Sequence, residues 1–188
     1  MTRLCRFWDE GVTLRRQRRW PAAVGPIWNP ALTVTDGGLR LALEPPDTDV
    51  SRELQRRFFA DITSRYPGWD PDEAPSADPA DLNPPTGAWI VAYLDGEPVG
   101  CAGLKSVDAE MVEVRRVFLD ESARGRGIGR RLLEELEQHA RRLGYKRVRL
   151  TTGDRQPEAL GLFRAAGYGE VGDFDGYAYA HHWMEKQL

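Results

Sequence analysis

The stretch from Met111 to Leu143 constrains this chain more than any other, because it reads as a strand, a tight glycine loop and a helix in succession. The loop is Arg124-Gly125-Arg126-Gly127-Ile128-Gly129, and the helix after it carries Ile128, Leu132, Leu133, Leu136, Ala140 and Leu143 at helical spacing. Glu137 and Arg141 pair at i,i+4, and Gly144 supplies a stop. The start of this helix breaks the usual rule. A helix N-terminus is electropositive and recruits Asp, Glu, Ser or Thr. Between Ala123 and Leu133 there is no Ser, Thr, Asp or Asn, while Arg124, Arg126, Arg130 and Arg131 crowd the same end. Such a terminus is unfavourable unless an anion supplies the missing charge, and three glycines let the backbone approach that anion closely. The stretch therefore predicts a phosphate or pyrophosphate site, with a ligand-free glycine loop as the alternative.

The residues narrow the choice of phosphate ligand. No Lys-Ser/Thr ending is present, which argues against a P-loop. The dinucleotide pattern also fails, because Leu132 occupies the place of its third glycine or alanine. Arg124, Gly127 and Gly129 do fit the motif Gln/Arg-x-x-Gly-x-Gly/Ala, and Glu113 lies on the strand before it. In these features the chain resembles the GNAT family of N-acetyltransferases, from about Leu39 to the C-terminus and most strongly from Glu113 to Tyr168. The resemblance implies an α/β (α+β) GNAT fold. That fold is a mixed central sheet of about six or seven strands, with helices on both faces and a splayed pair of parallel core strands. It implies acetyl-CoA as co-substrate, without a metal. The pyrophosphate would sit on Arg124, Gly125, Arg126, Gly127, Ile128, Gly129 and Arg130, and the pantetheine along Val117, Phe118 and Leu119.

At 188 residues, 41% of them hydrophobic, one domain with a real core is expected, and no run approaches a membrane span. Arg3, Arg6, Asp9 and Glu10 stand where a secretory signal would need an apolar segment. Cys5 and Cys101 form no disulfide framework and no metal set, so a reducing cytoplasm is the expected location. A net charge of −3 argues against nucleic acid as a partner, the local exception being Arg15, Arg16, Arg18 and Arg19. Residues 1–36, with Trp8, Trp20 and Trp28 among prolines, read as a separate extension, and residues 37–188 as the catalytic domain of a monomer or homodimer.

Further along, Leu39, Leu41 and Leu43 alternate as a strand that Pro45-Pro46 stops. Asp47 or Asp49 is expected to cap a helix presenting Val50, Leu54, Phe58, Phe59 and Ile62. A long loop follows from Tyr66 to Thr86, then a hairpin turning at Asp95-Gly96. In the strand Met111 to Leu119 the apolar parity shifts across Arg115-Arg116, which predicts a β-bulge near Arg115 to Val117. Tyr145 to Thr152 is the next strand. A helix then opens at Asp154 or Gln156, buries Leu160, Phe163 and Ala166, and ends at Gly167. Strands from Tyr168 to Val171 and from Tyr177 to Met184 complete the chain.

Acetylating an amine requires removing a proton from an ammonium of pKa ~10.4 and releasing a thiolate. The resemblance gives the base to Glu113, acting on the amine through water, with a salt bridge to Arg115, Arg149 or another neighbour as the structural alternative. Phe163 stands where the family often has a tyrosine acid, and Gln156 where it has an asparagine against the pantetheine. Tyr168, Tyr177 and Tyr179 are the stand-ins for the acid. His181 and His182 lack further ligands at metal spacing. Asp70, Asp72, Glu73, Asp78 and Asp81 lie in the long loop that the resemblance places beside the acceptor entrance and predict a small cationic amine, with a merely solvated loop as the alternative. Two other readings stay open: a non-catalytic acyl-CoA-binding regulatory module, and a nucleotide-binding protein.

Overall fold

Period-two alternation sorts the apolar residues of this chain onto two faces of one sheet. In the computed structural model, which describes residues 33–71 and 78–188, that sheet is built from eight strands. They are β1 (Thr33–Asp36), β2 (Leu39–Leu43), β3 (Ala88–Leu94), β4 (Glu97–Ser106), β5 (Met111–Leu119), β6 (Arg147–Thr152), β7 (Gly169–Glu170) and β8 (His182–Gln187). The spatial order is β1-β2-β3-β4-β5-β6-β8-β7. Every pairing is antiparallel except β5 with β6. The strand beyond the expected six or seven is β1, so the sheet reaches four residues ahead of position 37.

Among the described residues three α-helices cover the faces: α1 (Asp49–Arg65), α2 (Ile128–Arg142) and α3 (Pro157–Ala165). Leu41, Ile90, Val112 and Val114 pack with Leu132, Leu133 and Leu136 of α2 and Phe163 of α3. Ala42, Trp89, Val91 and Cys101 pack with Leu54 of α1 on the opposite face. β3 is buried on both sides, which is why it reads as a continuous apolar run. The α2 crossover makes β5 and β6 parallel neighbours. No described helix is long and apolar enough to cross a membrane.

Three boundaries differ from the sequence expectation. Thr48 caps α1, its Oγ1 accepting from Ser51 N at 3.1 Å, while Asp49 falls in the first turn and complements the helix dipole. Tyr145 precedes β6: its N–H closes the end of α2 on Ala140 O at 3.1 Å, and its hydroxyl donates to Thr86 O at 3.0 Å. Tyr177 and Tyr179 lie in the loop before β8. Asp173 turns that loop by accepting from the N–H groups of Asp175 and Gly176. The two tyrosines mimic strand alternation but pack across to α1, with Ile62, Tyr66 and Trp69.

Candidate functional site

Gly125 and Gly127 adopt left-handed φ values of 74° and 76°, a conformation that disfavours a side chain. Gly127 is the N-cap of α2 and brings no capping side chain, and the first turn holds no acid. Gly125, Arg126, Gly127 and Arg130 are exposed, whereas Ile128 anchors the turn in the core. Arg130 pairs with Glu134 at 2.8 Å. Arg124 is turned away from the helix start. Its Nε donates to Leu119 O at 3.1 Å, and its guanidinium lies 3.9 Å from Asp61 and 3.6 Å from Glu158. The positive end of α2 is thus left to its own N–H groups, which is the arrangement that binds an anion.

The loop sits at the open end of a gap between two strands. β5 and β6 pair only at Met111–Arg147, Val112–Val148 and Glu113–Arg149. Beyond Glu113 the edge of β5 is free of β6. The cause is the predicted bulge: Cys101 faces Phe118 and Gly103 faces Arg115, so two residues of β5 oppose one of β4, and Arg116 has φ 53°. Val117, Phe118 and Leu119 lie along the freed stretch. Val117 and Leu119 are partly buried, and Phe118 packs with Cys101 and Leu54.

Glu113 is the last paired residue before the gap. Its neighbours Val112 and Val114 enter the α2-side core, so alternation points Glu113 to the α1 side. It is 2% exposed. Oε2 accepts from Arg149 Nε at 3.0 Å, and Oε1 meets Arg115 Nη2 at 2.5 Å, a close ionic contact without the alignment of a directed hydrogen bond. The structure therefore supplies both salt bridges that sequence could name only as alternatives. It adds a partner that sequence missed: Phe174, whose ring lies 4.0 Å from the Arg149 guanidinium carbon. An aromatic 25 residues downstream carries no sequence signal for this contact, because a loop delivers it.

Tyr168 is separated from Glu113 by the sheet. It belongs to the α2-side core, 6.0 Å from Phe163 between ring centroids and beneath Lys186 at 5.6 Å. Burial first, and then nearby Glu137, push its hydroxyl far above the usual tyrosine range. It is a buried core aromatic on the α2 side of the sheet. Phe163 is buried beside it. Gln156, at the start of α3, lies with Oε1 3.4 Å from both Thr152 Oγ1 and Gly153 N.

The end of α1 is clamped to the turn after β6. Arg65 and Arg155 exchange guanidinium-to-carbonyl hydrogen bonds at 2.9 Å each, and Arg155 N donates to the Tyr66 hydroxyl at 2.9 Å. Gly153 is required here, since a Cβ on it would stand 1.9 Å from that hydroxyl. A cavity of about 270 Å³ opens beside the clamp, between Tyr66, Arg155, Tyr179 and His181. His181 lies 3.6 Å from Asp154, and His182 meets Glu170 at 3.0 Å. Among the described residues no group of three or more His, Cys, Asp or Glu side chains is arranged to hold a metal ion.

Comparison with known proteins gives consistent findings. A model described as the Acetyltransferase (GNAT) family matches residues 51–168. An IAA acetyltransferase of Azospirillum brasilense is 38% identical over 139 residues, covering 73% of this chain and 88% of that protein. The N-alpha-acetyltransferase RimI of Mycobacterium tuberculosis is 35% identical over 135 residues, covering 70% of this chain and 78% of its own length. A solved GNAT family acetyltransferase from Elizabethkingia anophelis, with acetyl-CoA bound, shares the fold at a TM-score of 0.59 and 19% identity, over 81% of this chain and all of that one.

Proposed function

The chain belongs to the GNAT acetyltransferase family, and we propose that it moves an acetyl group from acetyl-CoA to a primary amine by direct attack in a ternary complex. One observation carries this reading: the uncapped N-terminus of α2 opens directly beside the strand edge that the bulge frees from β6. Acetyl-CoA supplies the activated acetyl group as a thioester. The residues present fit it. Gly125 to Gly129 offer backbone N–H groups and the helix dipole to the pyrophosphate, Arg126 and Arg130 add charge, and Val117 to Leu119 offer an open backbone edge to the pantetheine. Gln156 stands at the N-cap of α3, beside the end of β6. Arg124 contributes by tying the loop to α1 and α3.

The acceptor arrives as an ammonium and sheds two protons on the way to the amide. One leaves to solvent and the other ends on the departing sulfur, as the C–N bond forms and the C–S bond breaks. Glu113 is the carboxylate on the acceptor side of the gap, and we assign it the removal of the first proton through water. No side-chain acid is assigned for the sulfur, since a thiolate (thiol pKa ~8.5) leaves tolerably well. The acidic loop supports a cationic acceptor less than its composition suggests. Asp78 accepts from Ala80 N, Asp81 pairs with Lys105 at 2.9 Å, and Asp72 and Glu73 lie outside the described residues. The test is a thiol-release screen of amino acids, polyamines, aminoglycosides and peptides, with mass analysis of the acceptor. Release of one coenzyme A per acetyl group gained is the expected result. Acetyl-CoA binding with no release on any amine would oppose catalysis on amines.

A further inference from the structure

The α1 side of the gap is built for an anion as well as for an amine. Arg115 and Arg149 flank Glu113, and Arg116 lies next to them on β5, half-buried, donating to Gln55 and lying 5.2 Å from the Phe59 ring. Two guanidinium groups, those of Arg115 and Arg149, thus share one buried carboxylate. Burial works against the Arg116 charge, and repulsion from Arg115 adds to the effect. Asp175, in the loop above, is exposed and is taken up by Trp183 Nε1 and the N–H of Tyr177. With one buried carboxylate shared between Arg115 and Arg149, the pair can take a further anion.

Donors also remain. Arg149 spends Nε and Nη2 on Glu113, which leaves its Nη1 without a partner among the described residues. Arg115 Nε is buried and makes no hydrogen bond. The two side chains are only 21% and 18% exposed, low enough for a charged contact to be strong and open enough to be reached. Phe174 covers one face of Arg149, and Tyr177 and Trp69 pack together in the neighbouring aromatic cluster at the end of α1.

On the strength of the proposed acetyl transfer, we propose that the acceptor carries a carboxylate close to its amine, an amino-acid-like molecule whose carboxylate is held by Arg149 and Arg115 while its ammonium faces Glu113. The alternation of charges Arg–Glu–Arg is complementary to such a zwitterion. A bidentate guanidinium contact fixes a carboxylate in direction as well as position, which in turn orients the neighbouring nitrogen. Phe174 and Tyr177 favour an apolar or aromatic side chain beside it. A polyamine or aminoglycoside would bring only cations to these arginines.

Matched acceptors test this: phenylalanine, leucine and alanine, each beside its carboxamide and its decarboxylated amine. Thiol release gives kcat/KM for each, and tryptophan fluorescence titration in the presence of coenzyme A gives binding without turnover. The free acids should be preferred at least ~10-fold in one set or more, in rate or in binding. Arg149→Met should bring that ratio toward one by raising the acceptor KM, with acetyl-CoA affinity unchanged, and Arg149→Lys should restore part of it. Equal or better use or binding of the amides and decarboxylated amines by the wild type would overturn the carboxylate assignment while leaving acetyl transfer standing. Binding of the free acids without thiol release would instead count against the transfer reading alone. An unchanged ratio in Arg149→Met would remove Arg149 from the assignment, and the wild-type comparison does not depend on how that variant folds.

Discussion

Glu113 carries two ion pairs and lies at the fork between β5 and β6, so replacing it probes stability and chemistry together. Glu113→Gln keeps the shape but leaves two guanidinium groups facing a neutral amide. Loss of a buried partner destabilises, here by on the order of 3 kcal/mol. If Glu113 removes the proton, the rate per folded molecule falls ~10²–10⁴-fold with acetyl-CoA affinity little changed. Circular dichroism melting and initial rates separate the two effects. Full activity in the folded variant would leave Glu113 as the residue that positions Arg115 and Arg149. The residue scale was only partly legible in the sequence. Glu113 and the glycines announced themselves by local pattern. Tyr168 was harder to read, because a tyrosine near the end of a predicted helix looks the same on either face of a sheet. Phe174 and Trp69 were silent, since loops bring them in.

Among the elements, α2 was the most legible, its apolar stripe and missing cap both surviving into the structure. It also holds a titrating group that pattern alone could not mark. His139 is 1% exposed, and burial, followed by the charge of Arg142, pushes its pKa down to about 4. In the unfolded chain an ordinary histidine takes its proton near pH ~6.5. Below that pH the unfolded state binds a proton that the folded state refuses. This contribution to stability is therefore complete above pH ~6.5 and is lost as pH falls toward 4, by on the order of 3 kcal/mol. Thermal melts of wild type and His139→Leu between pH 7.5 and 4.5 should show the wild type losing more stability on acidification, and parallel profiles would place His139 elsewhere in the proton balance. Element edges were read less well than elements. Thr48, Tyr145 and Tyr177 each show why: caps, helix closures and Asx turns are decided by single hydrogen bonds that an apolar period does not register.

At the scale of the whole molecule, a sheet splayed at one fork joins two chemistries. The α2 loop faces one side of the gap, and the arginines, aromatics and clamped end of α1 face the other. The bulge at Arg116 creates the fork, and the parity shift across Arg115-Arg116 made it readable before any fold was known. The clamp between Tyr66 and Gly153 was not readable, because residues 87 positions apart meet there with no local pattern. The central claim is that the uncapped loop beside the fork holds acetyl-CoA. Calorimetric titration of acetyl-CoA into wild type and Gly129→Val tests it most directly. Gly129 lies within α2, and a Cβ there would meet only the end of Leu162 at 3.4 Å, so the variant should fold. Saturable one-to-one binding that ATP does not displace, and that Gly129→Val loses while keeping its wild-type far-ultraviolet spectrum, is the predicted result. Wild-type affinity in the folded variant, or displacement of acetyl-CoA by ATP, would contradict it.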